Sequence, residues 1–159
     1  MDYPKYPLDV SAAYDFYEFM SIGKNGAIPK VILFYQDPKD YLEYYCILGE
    51  VREDGSIDTH VITNNGDMEK VLSTVAEATT SFLSKYPDCH VILEGSNKAR
   101  TRLYRMAINV NYERLIVDFD ISGVFELGKI MEKFEKGTVK DYDYFLVKRK
   151  KQLILQHGK

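Results

Sequence analysis

The segment Cys89–Arg105, CHVILEGSNKARTRLYR, decides the fold, because it contains a strand, a tight turn and the start of a helix. Cys89–Glu94 is a short, continuous apolar run, which is typical of a buried central strand. Gly95 permits a tight turn. Apolar residues then recur at helical spacing from Lys98 to about Asn111, which predicts a helix. The chain therefore places a helix N-terminus directly after a central strand.

Four strands are predicted before this segment. They span Tyr14–Ile22, Lys30–Gln36, Leu42–Arg52 and Ile57–Thr63, and turn-forming residues separate them. Between the fourth strand and Cys89, apolar residues from Val71 to Tyr86 follow a helical period, and Pro87 ends that helix. The first half of the chain is therefore an antiparallel meander followed by a helix.

Three more elements are predicted after Asn111. Leu115–Val124 is apolar and β-branched, and we expect a strand there. The spacing of Leu127, Ile130, Met131 and Phe134 predicts a short third helix, which Gly137 closes. A last strand is predicted at Tyr142–Lys148.

This order predicts an α+β fold, an antiparallel four-stranded meander followed by α-β-α-β, with the helices packed on one mainly antiparallel sheet. A meander followed by helix–strand–helix is also the skeleton of ribonuclease-H-like folds. We expect one domain over residues 1–159, with an irregular lead-in over 1–12 and a frayed, basic tail over 150–159. The predicted core consists of Val75, Phe82, Leu83, Val91, Leu93, Leu103 and Ala107.

Composition excludes several classes of protein. The 159 residues are 45% apolar and 28% charged, which is ordinary for a globular domain and rules out a disordered or collagen-like chain. Two cysteines, Cys46 and Cys89, are too few for a disulfide framework and indicate a reducing compartment. No apolar run approaches the roughly 20 residues of a membrane span, and no signal peptide is visible. We therefore expect a cytoplasmic protein of bacterial type that does not enter a membrane.

Charge is divided unevenly along the chain. Residues 1–96 contain 7 Lys and Arg against 16 Asp and Glu, whereas residues 97–159 contain 14 against 8. The net charges are thus −9 and +6. This asymmetry indicates either a basic surface for an anionic partner or two halves of one fold that attract each other.

The start of the second predicted helix carries four cations, Lys98, Arg100, Arg102 and Arg105. A helix N-terminus has a partial positive charge, so cations there are disfavoured by a few tenths of a kcal/mol each. Either a carboxylate such as Glu94 neutralises them, or they bind an external anion beside the free backbone N–H groups.

Helical geometry separates these cations. Arg102 and Arg105 share the polar face and are the candidate ligand contacts, which should be unpaired in the free protein if they bind an external anion, whereas Arg100 and Tyr104 lie near the apolar face. Arg100 is therefore expected in a buried pair, and Tyr104 is a candidate for stacking. The predicted anion-binding residues are Ser96, Asn97, Lys98, Arg102 and Arg105, supported by Glu94, Gly95, Arg100 and Tyr104, with Ser96 as the helix cap.

Three stretches carry a resemblance to a known family: EGSNKARTRLYRMAI, YPLDVSAAYDFYEFMSIGKNG and YDYFLVKRK. Together they resemble a family of small uncharacterised bacterial proteins, a domain of unknown function. The pattern from Gly95 to Arg105 is the most specific part. The resemblance implies a single-domain protein without an established activity, cofactor or catalytic residue.

The sequence offers candidates for two other kinds of site, a two-metal carboxylate site and a cysteine–histidine metal site. Ribonuclease-H-like nucleases hold two metal ions with carboxylates, for which Asp15 or Glu18, Glu69 or Glu77, Glu94, and Asp118 or Asp120 are the candidates. Asp118 and Asp120 are expected to share one strand face. Cys46, His60, Cys89 and His90 lack metal-ligand spacing, and no metal, cofactor or catalytic residue is predicted.

The leading functional hypothesis is a non-enzymatic binding module. Its partner would be a nucleic acid backbone or an acidic protein segment, bound at the basic start of the second helix. The alternatives are a metal-dependent nuclease of ribonuclease-H-like topology and a protein-interaction subunit of a toxin–antitoxin or defence operon. The oligomeric state is not predicted.

Overall fold

The computed structural model describes residues 4–60 and 63–151, which form nine strands and three helices. The strands are β1 (Asp9–Val10), β2 (Phe16–Gly23), β3 (Gly26–Gln36), β4 (Glu43–Val51), β5 (Ile57–Asp58), β6 (His90–Leu93), β7 (Phe119–Phe125), β8 (Ile130–Lys133) and β9 (Tyr144–Arg149). The helices are α1 (Met68–Lys85), α2 (Lys98–Val110) and α3 (Tyr112–Asp118). These elements confirm the α+β class. None of the helices in the described residues combines the length and apolar character that a membrane crossing requires.

One open sheet contains all the described strands. Eight of them follow the order β1-β2-β3-β4-β6-β9-β7-β8, and β5 pairs with the end of β4. The pairing of β4 with β6 is parallel, and every other pairing is antiparallel. The mainly antiparallel sheet is therefore confirmed, although it has more strands than predicted. Residues 61–62 of the predicted fourth strand and residues 152–159 of the predicted tail lie outside the described residues.

The main core lies between the helices and one face of the sheet. Side chains alternate along β2, so that Tyr17 and Phe19 are buried on this face while Glu18 and Met20 are exposed on the other. On the core side, Phe82 of α1 stacks on Phe34 of β3, with ring centroids 4.4 Å apart. Of the predicted core residues, all are buried except Leu103, which is half-buried.

The strand order does not clearly match a ribonuclease-H-like fold. The strand that follows the first helix, β6, pairs with β4 at the end of the meander. It is therefore three strand spacings from β2, roughly 14 Å at about 4.8 Å each. Glu18 of β2 and Glu94 after β6 are consequently too far apart to share a metal ion.

The region from Tyr112 to Lys133 differs most from the prediction. The first half of the predicted strand Leu115–Val124 belongs to α3, which buries Leu115 against the core. The predicted third helix is wrong, because β7 and β8 form a hairpin there. Gly128 and Lys129 both have positive φ, +83° and +50°, which turns the chain tightly and breaks a helix.

Candidate functional site

The candidate site lies beside a gap at one edge of β4. The parallel pairing of β4 with β6 ends at the pair Cys46–Leu93, because β6 has only 4 residues. On the same edge, β5 resumes the pairing at Glu50. The backbone around Leu48 therefore has no neighbouring strand on this side, and buried backbone groups without a partner are costly.

Two side chains of α2 close this gap. Tyr104 Oη accepts a hydrogen bond from the Leu48 N–H at 3.3 Å and donates one to the Cys46 carbonyl at 3.1 Å. Arg100 Nη2 donates to the Leu48 carbonyl at 2.6 Å. The prediction that Arg100 is buried is confirmed, but Glu94 is not its hydrogen-bond partner. Tyr104 is also buried, so it cannot stack on a ligand as the sequence suggested.

The turn from β6 into α2 depends on Gly95 and Asn97. A Cβ at Gly95 would overlap the side chain of Arg100, so glycine allows α2 to approach the strand closely. Asn97 Oδ1 accepts a hydrogen bond from the Arg100 N–H at 2.9 Å, which makes Asn97 the N-cap residue. Ser96 was predicted to cap the helix, but its hydroxyl donates to the Thr59 carbonyl instead.

The other side of α2 holds an exposed carboxylate. Arg102 contacts both oxygens of Asp141, with Nε–Oδ1 at 3.1 Å and Nη2–Oδ2 at 3.3 Å. Arg105 Nη1 donates to Asp141 Oδ1 at 3.1 Å and to the carbonyls of Val139 and Lys140. The prediction that both arginines are unpaired is therefore wrong. The reason is that the loop before β9 passes in front of α2.

Two arginines form ion pairs with this carboxylate, and the charge of Lys98 also acts on it. The hydrogen bond from Arg102 and the charges of Arg102, Arg105 and Lys98 hold the pKa of Asp141 below its usual range. Lys98 forms no ion pair with any residue in the described part of the chain. We call Lys98, Arg102, Arg105 and Asp141 the basic group, and its net charge is +2.

Three acids line the same cavity as the basic group, and we call Glu94, Glu126 and Asp143 the acidic group. The cavity has a volume of about 220 Å³. Burial raises the pKa of Glu94, and the charges of Glu126 and Asp143 raise it further. No ion pair joins these three acids to a cation within residues 4–60 and 63–151. The cavity thus contains two separate groups of opposite charge.

Sequence reasoning missed the residues that the loop and the β7–β8 hairpin contribute. Asp141 and Asp143 lie 36 or more positions after Arg105 in the chain. Lys140 also lines the cavity and forms an ion pair with Glu132 at 2.9 Å. Both acids were visible at the start of the last predicted strand, but no spacing rule joins them to α2.

The candidate nuclease carboxylates do not come together. Glu77, which lies on α1, forms ion pairs with Lys5 and Arg114. Asp118 ends α3 while Asp120 lies in β7, so the prediction that they share a strand face is wrong. Asp15 accepts a hydrogen bond from Ser11, far from Glu69 at the start of α1. The geometry therefore gives no support to the nuclease alternative.

The four cysteine and histidine candidates are also dispersed. Cys46 is buried in the main core, and burial raises the pKa of its thiol to about 12. Its register partner in β6 is Leu93, whereas His90 is opposite Glu43. Among the described residues, no three His, Cys, Asp or Glu side chains are grouped as a metal ion would require.

The fold and the cavity together define the class of protein, which is a two-layer α+β domain with a charged cavity beside the N-terminus of α2. The chain belongs to a family of unknown function, DUF6934, whose model matches residues 2–150. This match confirms an uncharacterised domain over almost the whole chain. Comparison with curated proteins gives no match, and neither does comparison with solved structures.

Proposed function

We propose that this domain binds an acidic segment of a partner protein at the exposed side of α2. The observation that supports the proposal is the convergence of Arg102 and Arg105 on the single carboxylate of Asp141. Two guanidinium groups that hold one carboxylate match the geometry with which proteins recognise carboxylates. Asp141 thus stands where a carboxylate of the partner would bind.

The charge balance of the basic group favours a second anion. Lys98 has no ion-pair partner in the described residues, and the group keeps a net charge of +2 with Asp141 in place. Asp141 has a side-chain exposure of 48% and lies on a loop, so a carboxylate from outside can reach the same donors. An incoming carboxylate would either join Asp141 or displace it.

The acidic group favours a protein segment over a nucleic acid. A nucleic acid is a continuous polyanion, with about one charge per 1.7 Å of duplex. Its phosphates would pass close to Glu94, Glu126 and Asp143, which line the same cavity. An acidic protein segment can place one carboxylate at the arginines and neutral residues beside the acids.

A binding measurement with charge-matched variants tests this proposal. The probe is a fluorescein-labelled peptide with two glutamates separated by glycine, and anisotropy reports its binding. Arg102→Ala/Arg105→Ala should weaken binding about tenfold or more, since a charge-assisted hydrogen bond contributes about 1.5–3 kcal/mol. The control Lys39→Ala/Lys136→Ala removes the same charge from exposed positions elsewhere and should have little effect.

Asp141→Asn provides a second and opposite test. It removes the Asp141 carboxylate, which competes with the peptide for the two arginines, and raises the net charge of the basic group to +3. The peptide should therefore bind this variant more tightly than it binds the unmodified domain. Equal weakening by the control double variant, or unchanged affinity in Asp141→Asn, would contradict the proposal. Stronger binding of a single-stranded oligonucleotide, lost in Arg102→Ala/Arg105→Ala, would identify a nucleic acid as the partner instead.

A further inference from the structure

The face of the sheet opposite the helices carries apolar side chains that lie outside the main core, beside a row of charged and polar residues at Glu43, His90, Lys148 and Asp120. The strand registers place three rows of apolar side chains on this face, and we call them the apolar band: Phe16–Leu33–Ile47, Tyr35–Tyr45–Ile92–Leu146 and Met131–Val124–Tyr144. None of these side chains belongs to the core cluster under the helices. Tyr35 and Met131 are each 59% exposed. No described helix covers the band.

A cavity of about 240 Å³ opens in this band where β6 ends. Tyr35, Tyr45 and Ile47 line it from the strands, and Glu94 lines it from the end of β6. The hydroxyl of Tyr45 donates to Asp37 at 3.2 Å, which fixes the orientation of that ring. Two aromatic rings and one carboxylate therefore meet at a single opening.

Glu94 is the one carboxylate among the described residues that line this cavity, whose other charged residue is Arg100. The side-chain carboxylate of Glu94 has neither a hydrogen bond nor an ion pair within residues 4–60 and 63–151. The charges that act most on its carboxyl are those of Glu126 and Asp143, and with burial they raise its pKa. Glu94 is exposed and repelled by these two acids, so its carboxylate is accessible to a cation that would offset the repulsion.

We propose that this cavity takes the ammonium group of a lysine side chain, supplied by a basic protein segment that lies along the apolar band. The ring faces of Tyr35 and Tyr45 attract a cation, and Glu94 neutralises it. The methylene stem of the lysine packs against Ile47, and apolar neighbours of the lysine pack on the band. Charge complementarity thus selects a basic, partly apolar segment as the occupant.

Arg100 also lines this cavity, but its guanidinium group contacts the backbone of β4, where it donates to the Leu48 carbonyl. Glu94 lines this cavity, while Glu126 and Asp143 line the neighbouring cavity and act on the Glu94 carboxyl from there. The site differs from the basic group on α2 in the sign of the charge that it binds. Glu94, Gly95 and Ser96 line both cavities, so the two sites are neighbours.

A pair of peptides isolates the role of the ammonium group. The first has a central lysine flanked by leucines, and the second has norleucine, which is neutral and similar in shape, in place of the lysine. Isothermal titration calorimetry should show that the full chain binds the lysine peptide at least about tenfold more tightly. In Glu94→Gln, this preference should fall to about twofold or less.

Variants of two tyrosines locate the site. Tyr35→Ala should weaken binding of the lysine peptide severalfold. Tyr41→Ala should not, because Tyr41 lies in the turn before β4 and is 75% exposed. Both tyrosines are exposed, so both variants should fold, and unchanged melting temperatures verify this.

Three results would overturn the inference: equal binding of the two peptides, equal effects of Tyr35→Ala and Tyr41→Ala, or no measurable binding of the lysine peptide. The test of this inference and the test of the proposed acidic partner can succeed or fail independently. Arg102→Ala/Arg105→Ala should leave the lysine peptide bound, whereas Glu94→Gln should not weaken binding of the glutamate peptide.

Discussion

The two sides of α2 use the same residue type for different purposes. On the buried side, Arg100 binds the Leu48 carbonyl, a backbone group that cannot leave the folded domain. On the exposed side, Arg102 and Arg105 bind Asp141, an exposed side chain on the loop before β9. The position of a guanidinium relative to the edge of β4 therefore decides whether it bonds to the backbone of the sheet or to an exposed carboxylate on a loop.

The largest expected effect comes from Arg100 on the buried side. Arg100→Ala leaves the Leu48 carbonyl without its charged donor, and we expect a loss of about 3 kcal/mol in the free energy of unfolding. Urea unfolding at neutral pH measures this loss. Arg100→Lys keeps one donor and should lose less. A loss below about 1 kcal/mol in Arg100→Ala would mean that the gap in the sheet does not need the guanidinium.

A smaller loss is expected when the hydroxyl of Tyr104 is removed. Tyr104→Phe keeps the ring but leaves the Leu48 N–H and the Cys46 carbonyl without a partner. We expect a loss of about 2 kcal/mol in urea unfolding. Tyr41→Phe, at an exposed position, is the matched control. Equal stability of the two variants would contradict the assigned role of the hydroxyl.

Changes on the exposed side should have little effect on stability. Arg102→Ala/Arg105→Ala removes the ion pairs with Asp141, which contribute about 0–1 kcal/mol each. It also removes the hydrogen bonds from Arg105 to the Val139 and Lys140 carbonyls, which lie on an exposed loop where water can replace the donor. We expect its free energy of unfolding to stay within about 1 kcal/mol of the unmodified domain. A loss as large as that of Arg100→Ala would show that both sides of α2 are structural and would remove the distinction between them.

The smallest effect is a dependence of stability on pH that comes from Asp141. Its pKa is lower in the folded state than in the unfolded state, so its ionised form stabilises the fold. This contribution is complete above the unfolded pKa of about 3.9 and is lost as the pH falls through the folded pKa. The stability difference between the unmodified domain and Asp141→Asn should therefore be constant from about pH 7 to 5 and vanish in acid. A difference that does not change as the pH is lowered from about 5 into acid would contradict the lowered pKa.

Periodic patterns predicted the fold wherever one period extended over a whole element. The strands β2, β3 and β4, the helix at Met68–Lys85 and the strand at His90–Leu93 follow such patterns and are present. In contrast, β1 lies in the predicted irregular lead-in, and among the described residues of the predicted strand Ile57–Thr63 only Ile57–Asp58 form a strand. The region from Tyr112 to Lys133 could not be predicted in this way, whereas the last predicted strand is present as β9. Leu127, Ile130 and Met131 have helical spacing, yet all three are exposed in the structure, so burial did not select their spacing.

The candidate site was predictable on one side of α2 only. The helical face of Arg100 indicated its burial, because that position adjoins the apolar stripe. The partner of Arg102 and Arg105 was not predictable, since Asp141 reaches them through a loop that is distant in the chain. The gap that Tyr104 closes could not be predicted either, because it depends on the different lengths of β4 and β6.

The most direct test of the distinction between the two sides is an NMR titration of the arginine Nε–H signals with the glutamate peptide. One spectrum follows both sides of α2 at once. The signals of Arg102 and Arg105 should shift with a common binding curve, while the signal of Arg100 should stay in place. A shift of Arg100 equal to theirs, or no shift of Arg102 and Arg105 at saturating peptide, would contradict the account.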